Sequence, residues 1–495
     1  MATTFPTTPA LSLAEGLSRE FLLHHRLCPK ELGRDGSVVV ALAPDARREA
    51  LDDIAFAYRR AVHTEDATAA DVERLIERLT TQASRGIELE RADAANGGED
   101  GLTADVRDLA NQPPVVRYVN LLVRDAYDAG ASDIHLEAAR TGLAARFRVD
   151  GVLTAAPEPP NELHHAIVSR VKLLAELDIA ERRRPQDGRI RVRLEERELD
   201  IRVSTVPTMF GESVVLRLLD RGGRPVALGE LGMSADVHER VERLAGRPHG
   251  MLLVTGPTGS GKTTTLYAAL QKRDTLAEKI VTVEDPVEYQ LNGITQVPVH
   301  RQAGVTFATA LRSILRQDPD VVMVGEMRDG ETAEIAVQAA MTGHLVFSTL
   351  HTNDAIAAIP RLLDLGVPEY LVAATVEGVL AQRLVRRICT DCREEYRPSA
   401  EQVALLAGRP SKRVMLWRGT GCLACRGTGY RGRVGIYELL VMTDDIKDAV
   451  ARRASRAELR ALAERAGMRP LRVDGWTKIE AGLTTIAEVL RVVQG

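Results

Sequence analysis

The residues with the clearest chemistry form one segment, Gly256-Pro257-Thr258-Gly259-Ser260-Gly261-Lys262-Thr263-Thr264. An apolar run over 251–254 predicts a buried strand before it, and the pattern over 264–270 predicts a helix after it, the setting that a G-x-x-x-x-G-K-[ST] phosphate loop requires. Glycines let successive backbone N–H groups point at phosphate oxygens, and the helix N-terminus adds partial positive charge. The motif assigns Lys262 to the β- and γ-phosphates and Thr263 to Mg²⁺. The sequence therefore predicts a nucleoside triphosphate site.

Acidic residues follow two further predicted strands downstream of this loop. Glu284 begins the cluster 284–288 after a strand over 280–283, and Glu326 lies beyond a strand over 321–324, with Gly325 between. Ligands of open α/β sheets bind at strand ends, where an acid can hold Mg²⁺ through water or polarise the attacking water. A single acid of this kind is usually a solvated charge. Several acidic or histidine clusters at the strand ends of one sheet with a phosphate loop favour a catalytic role over that of solvated charges.

Two histidines bracket the next short apolar strand. His351 lies beside Thr349 and Asn353, where its side chain could report the presence or loss of a terminal phosphate. A histidine in an apolar setting is usually a hydrogen-bonded core residue. That description suits His344 better than His351.

The segment 182–202 contains eight arginines and five acidic residues. Such a run is normally a solvated, partly self-paired surface. A nucleic-acid patch is a second interpretation, and stabilisation of a phosphate held by another domain or subunit is a third. For this third role we select Arg189 and Arg202, with Arg217 as a weaker candidate. The sequence leaves these alternatives open.

Four cysteines form two C-x-x-C pairs separated by 29 residues: Cys389, Cys392, Cys422 and Cys425. In a reducing compartment such pairs indicate metal ligands more than disulfides. The spacer is longer than the usual one of about 15–20 residues. We expect a structural Zn²⁺ held by four thiolates, with buried free thiols as the alternative.

The composition and patterning predict an α/β protein of several domains. Hydrophobic residues make up 45% of the 495 positions, and the formal charge of −4 argues against a general nucleic-acid binder. No apolar run reaches the ~18 residues of a membrane span, and the first residues lack signal-peptide character. We therefore expect a cytosolic chain that reaches a membrane only through a partner.

The elements that position these residues fall into consecutive predicted regions. Residues 1–92 form a small N-terminal domain, and an acidic, Gly-rich stretch over 93–104 predicts a flexible linker. Residues 105–224 predict an antiparallel sheet flanked by helices. Alternating strands and helices over 228–386 predict a parallel α/β sheet. The remainder divides into a tetracysteine lobe, 387–438, and a helical segment, 439–495.

These motifs, in this order, resemble those of the secretion and pilus-assembly ATPases, the traffic ATPases of type II and type IV machines. The resemblance covers about residues 105–495 and rests on five features: the phosphate loop, Val283–Pro286, Leu315–Asp320 with Glu326, Thr342–Asn353 and the four cysteines. The length, the short first domain and the segment 381–385 are most similar to the type II members.

The resemblance implies a RecA-like motor domain preceded by a PAS-like domain that closes over the nucleotide. It also implies a homohexamer with active sites between those domains. Arg189, Arg202 and Arg217 match the family's phosphate-approaching arginines, Glu326 its Walker B glutamate, Glu284 its acidic-box glutamate and His351 the second histidine of its histidine box.

The expected function is that of an ATP-hydrolysing motor using ATP, Mg²⁺ and Zn²⁺, which energises type II secretion by driving pseudopilus assembly. It would work at the cytoplasmic face of a bacterial inner membrane, with residues 1–92 docked on a cytoplasmic domain of an inner-membrane secretion protein and with an inner-membrane platform protein as second partner. The alternatives are a type IV pilus assembly ATPase, a DNA-translocating hexameric ATPase and a nucleotide-binding scaffold without turnover.

Overall fold

The computed structural model describes residues 19–33, 37–58, 60–82, 87–90, 109–159, 161–194, 197–220, 226–399, 401–403 and 415–493. The chain forms two compact units, Met1–Gly222 and Gly223–Gly495. The predicted linker at 93–104 lies outside the described residues.

The first unit begins with a small α/β domain. Its three-stranded sheet has the order β1 (Leu27–Leu32), β2 (Val38–Leu42), β3 (Val62–Asp66). Its helices are α1 (Arg19–His25), α2 (Leu51–Tyr58) and α3 (Ala69–Gln82). The helical spacing of Val72, Ile76 and Leu79 buries one face of α3 against the sheet, as an amphipathic pattern requires.

The same unit contains a seven-stranded sheet in which every neighbouring pair is antiparallel. Its strands, in chain order, are β4 (Ile87–Glu90), β5 (Ala131–Ala139), β6 (Gly142–Val149), β7 (Val152–Ala155), β8 (Gln186–Leu194), β9 (Arg197–Thr208) and β10 (Gly211–Asp220). They are arranged β4-β8-β9-β10-β5-β6-β7. Helices α4 (Pro113–Asp128) and α5 (His164–Leu174) contribute to the core of this sheet.

One predicted boundary in this unit is wrong. The first domain was expected to extend to residue 92, but β4 pairs with β8 and so belongs to the second sheet. A four-residue strand beside a Gly-rich stretch is too short for its pattern to show which sheet it joins.

The second unit is built on a mixed seven-stranded sheet. Its strands are β11 (Gly250–Thr255), β12 (Ile280–Glu284), β13 (Thr295–Pro298), β14 (Val321–Val324), β15 (Leu345–Leu350), β16 (Val376–Ile388) and β19 (Tyr430–Val441). They are arranged β13-β12-β14-β15-β11-β16-β19, and only the β16–β19 pair is antiparallel. Strands β11, β12, β14 and β15 are fully buried, which is typical of parallel strands covered on both faces.

Helices α6 to α11 connect or flank these strands. They are α6 (Ala235–Ala245), α7 (Lys262–Leu270), α8 (Phe307–Ile314), α9 (Gly330–Met341), α10 (Ala358–Asp364) and α11 (Glu369–Thr375). Helix α7 follows β11 directly through the phosphate loop, so that loop lies at the carboxyl end of an interior strand.

The C-terminal part continues the second unit. Strands β17 (Arg393–Tyr396) and β18 (Leu416–Gly419) form a small hairpin, and four helices close the chain: α12 (Asp444–Ala451), α13 (Arg456–Arg465), α14 (Leu471–Glu480) and α15 (Ile486–Val493). The predicted boundary between 438 and 439 falls inside β19, and Ile446 and Leu459 join the core of the large sheet. The tetracysteine lobe is therefore smaller than expected, because the long-range pairing that returns β19 along β16 has no local pattern.

Among the residues that the structure describes, none of the helices combines the length and apolar character needed to cross a membrane.

Candidate active site

The phosphate loop has the backbone conformation that its glycines permit. Gly256, Gly259 and Gly261 have φ angles of 150°, 77° and 85°, a region that other residues rarely adopt. Gly261 caps helix α7, so Lys262 is the first residue of the helix. Backbone N–H groups at such a helix start are available to an anion.

Lys262 is held inside the loop, with only 9% of the residue exposed. Its Nζ donates to the carbonyl oxygens of Gly256 at 2.8 Å and Pro257 at 3.0 Å. Burial lowers the pKa of Lys262 to about 8, while the nearby Glu326 carboxylate opposes that change. A negatively charged ligand next to a lysine that is buried in this way would favour its protonated, charged form.

Glu326 and His351 lie next to each other. One oxygen of the Glu326 carboxylate lies 2.7 Å from Arg328 Nε, with which it forms an ion pair. The other oxygen lies 3.4 Å from His351 Nε2. Burial and the charge of Lys262 lower the pKa of His351, so its neutral form is favoured at pH 7. The structure thus brings Lys262, Glu326 and His351 together at the carboxyl ends of three neighbouring strands, β11, β14 and β15.

His344 lies at the opposite end of β15. Its Nδ1 is 2.9 Å from the carbonyl oxygen of Ala339, a contact that ties the end of α9 to the start of the strand. Because His344 precedes β15 and His351 follows it, the two histidines lie at opposite ends of this strand.

Glu284 is surrounded by donors rather than by solvent. It is 2% exposed, and its carboxylate accepts from Thr282 Oγ1 at 2.5 Å, from Gln296 Nε2 at 3.2 Å and from the Tyr267 hydroxyl. Burial and this carboxylate both raise the pKa of Tyr267, so the hydroxyl keeps its proton. Glu284 therefore joins β12 to α7 and β13.

The three selected arginines form one row across the antiparallel sheet. Arg202 is directly opposite Arg189 on one side and Arg217 on the other, and Arg217 is opposite Asp133. Residues opposite each other point to the same face, and like charges in that position are destabilising. A row of three guanidinium groups therefore has an electrostatic cost, which a bound anion would offset. The row belongs to the first unit, and Lys262 to the second.

The end of this row carries an ion pair. Arg217 Nε donates to Asp133 Oδ1 at 2.9 Å. Although burial raises the pKa of Asp133, hydrogen bonds from Arg217 and Ser132 leave it below its ordinary value. Asp133 thus holds Arg217 in place in the row.

The four cysteines form a compact thiol cluster between β16 and β19. Their Sγ atoms all lie within 4.8 Å of one another, and three of the separations are 3.7–3.8 Å. Tetrahedral Zn²⁺ with Zn–S bonds of ~2.3 Å needs separations of about 3.8 Å. Although burial raises the pKa of Cys425, backbone N–H donors lower it to about 6. The donor set therefore fits a closed zinc site.

Sequence reasoning missed three residues beside the phosphate-loop site. Arg328 pairs with Glu326, Gln382 donates to the phosphate loop, and Arg383 lies against Gly256 of that loop. A Gln-Arg pair inside a strand that is otherwise buried is the signal that could have found the last two, because buried polar groups need partners.

A phosphate loop at the carboxyl end of an interior strand, with a glutamate and a histidine at the ends of the next two strands, defines a P-loop nucleoside triphosphatase. The family model for type II/IV secretion system proteins matches residues 108–491. The chain belongs to this family, and it is a secretion ATPase, as its motifs predicted.

Individual relatives agree with this assignment. The type II secretion system protein E of Xanthomonas campestris pv. campestris is 48% identical, over 98% of this chain and 87% of its own. The type IV pilus assembly ATPase PilB of Myxococcus xanthus is 44% identical, over 92% and 82%. The crystal structure of the pilus retraction motor PilT with bound ADP matches with a TM-score of 0.53 and 27% identity, over 75% of this chain and 95% of that one.

Proposed function

We propose that this chain hydrolyses Mg·ATP at the site formed by residues 256–264, Glu326 and His351. The observation that carries the proposal is the meeting of Lys262, Glu326 and His351 at one sheet edge. Lys262 binds the β- and γ-phosphates and Thr263 holds Mg²⁺. Glu326 orients the attacking water, and the neutral His351 contacts the γ-phosphate. Glu284, whose oxygens already serve three donors, holds α7 in position.

The arginine row supplies further charge to the transferring phosphoryl group. Arg189, Arg202 and Arg217 would reach the phosphates when a PAS-like domain, the antiparallel sheet of the first unit, closes on the RecA-like motor domain. Support comes from their direct opposition across β8, β9 and β10. Closure in one ATPase state and opening in the other would be the work output of the motor.

The cysteine cluster would hold a structural Zn²⁺ at the end of the β16–β19 ribbon. Replacing Cys389 and Cys392 by Ser should release about one zinc per chain and destabilise this end of the sheet. Metal analysis and thermal unfolding check this, with Cys28→Ser, a buried cysteine outside the cluster, as the matched control. A purified chain that contains no zinc would contradict the proposal.

The motor would work as a homohexamer that drives pseudopilus assembly for type II secretion. Its place would be the cytoplasmic face of an inner membrane, with the small N-terminal domain docked on a cytoplasmic domain of an inner-membrane secretion protein. The alignment with the Xanthomonas relative over 98% of this chain, first domain included, supports the type II assignment. The similarity to PilB keeps type IV pilus assembly as the second candidate.

The partner decides between these two candidates. We expect the full chain to bind, and to be activated by, the cytoplasmic domain of a type II inner-membrane secretion protein, but not by a pilus platform protein. Steady-state phosphate release with each partner at several concentrations measures this. Stimulation by the pilus protein alone would favour the second candidate, and stimulation by DNA would favour a nucleic-acid translocase.

A further inference from the structure

Two neighbouring polar residues on β16 are buried beside the phosphate loop. Gln382 is 2% exposed and Arg383 is 6% exposed. Their neighbours Leu380, Ala381 and Val385 form part of the hydrophobic cores. A buried amide and a buried guanidinium lose free energy unless each is hydrogen-bonded. Their partners therefore indicate what the pair is for.

Gln382 bonds to two points of the phosphate loop and its helix. Its Nε2 donates to the Ser260 carbonyl oxygen at 2.7 Å, and its Oε1 accepts from Thr265 Oγ1 at 2.7 Å. The loop also lies directly on the strand, since a Cβ added to Gly256 would be 2.5 Å from the Gln382 carbonyl oxygen. A Cβ added to Gly261 would be 2.8 Å from Gln382 Nε2. Gln382 thus holds the phosphate loop in its conformation from the neighbouring strand β16.

Arg383 links the same strand to the segment after His351. Its Nη2 donates to the Asn353 carbonyl oxygen at 2.8 Å, and its Nη1 donates to the Gln382 carbonyl oxygen at 3.1 Å. Burial lowers the pKa of Arg383, and the carboxylates of Glu438 and Asp354 oppose that change. Because Asn353 is two residues beyond His351, this contact ties the histidine segment to the strand that supports the phosphate loop.

We propose that Gln382 and Arg383 are positioning residues for ATP hydrolysis, acting on two different parts of the site. Gln382 holds the phosphate loop, and Arg383 holds the His351 segment at a fixed distance from that loop. Catalysis of phosphoryl transfer depends on positioning, so a small displacement of either part lowers the rate. The inference rests on the proposed ATP site.

Loss of Gln382 and loss of Arg383 should change the affinities for ATP and ADP in different ways. A diphosphate and a triphosphate both contact the phosphate loop, so losing Gln382 weakens both equally. Only a triphosphate has the γ-phosphate that meets His351, so losing Arg383 weakens binding of ATP relative to ADP and slows turnover. A purely structural role would produce no such division.

The test uses Gln382→Leu and Arg383→Met in the full-length chain, with fluorescent-nucleotide titration, phosphate release and thermal unfolding. Gln382→Leu should raise the Kd of ATP and ADP alike, by about tenfold for two lost hydrogen bonds. Arg383→Met should leave the ADP Kd within about twofold and lower kcat by about thirtyfold. Arg383→Lys should restore part of kcat, because it keeps the charge but not the paired donors.

The matched control is Glu377→Gln, a change at a buried, ion-paired residue of β16 that contacts Arg247 and Lys447. It should lower the unfolding temperature without altering either Kd or kcat of the folded fraction. If Gln382→Leu does not fold, Gln382→Met replaces it, because methionine keeps the length of the side chain, loses both hydrogen bonds and adds no charge, and the same equal weakening is expected.

The proposal is overturned if both variants bind and hydrolyse ATP as the unmodified chain does. It is also overturned if their losses match those of Glu377→Gln at equal unfolding temperature. Failure of the proposed ATP site is tested separately by Lys262→Ala. Turnover retained in that variant would refute the proposed site, whatever the results for Gln382 and Arg383.

Discussion

The two seven-stranded sheets use charged residues in opposite ways. In the antiparallel sheet of the first unit, Arg189, Arg202 and Arg217 are aligned across strands, on the face away from the buried Ile190 and Ile201. In the mixed sheet of the second unit, Lys262, Glu326 and His351 meet at the edge where parallel strands end. One arrangement makes a charged surface row and the other makes an enclosed site. In the function that we propose, the second unit contains the chemistry and the first would supply accessory charge.

The largest effect should come from the enclosed site. Lys262→Ala removes the buried cation that, in the proposed site, binds the β- and γ-phosphates, so kcat/KM for ATP should fall by about a thousandfold. Lys272→Ala is the control, because this lysine is half-exposed, far less buried than Lys262, and pairs with Glu242 at 3.0 Å. Near-normal turnover of ATP in Lys262→Ala would contradict the assignment of the chemistry to the enclosed site of the second unit.

A smaller effect is expected in the arginine row. Arg202→Ala, at its centre, should lower kcat by about a hundredfold with little change in KM, because it acts on the transition state. Arg191→Ala is the matched control on β8, since Arg191 lies opposite Asp200 rather than another arginine. Equal losses in the two variants would indicate a general surface-charge effect and would remove the special role of the row.

The effect of pH on His351 should be smaller still. The pKa of His351 lies below its ordinary value of about 6.5, so the neutral form persists at that pH and is lost only as the pH falls further. Protonated His351 would pair with Glu326 and compete with the attacking water, so kcat should fall several-fold as the pH drops below the lowered pKa of His351. His351→Gln should be slower but should lack this acid limb. An unchanged limb in that variant would assign the titration to another group.

The two sheets also differ in how far the sequence could predict them. Each motif of the second unit directly follows a strand, and parallel strands end at one edge, so the meeting of Lys262, Glu326 and His351 could be anticipated. The arginine row depends on the registers of β8, β9 and β10, which no local pattern gives. The same limit applies to β4, to β19 and to Gln382, whose positions follow from long-range pairing.

In the mechanism that we propose, Glu326 activates water for attack on ATP held by Lys262. The most direct measurement is a single-turnover experiment with Glu326→Gln, in which bound ATP is separated from bound ADP and phosphate. We expect ATP affinity within about threefold of that of the unmodified chain and hydrolysis slower by about a hundredfold or more. Hydrolysis of the bound ATP at the unmodified rate would contradict the account.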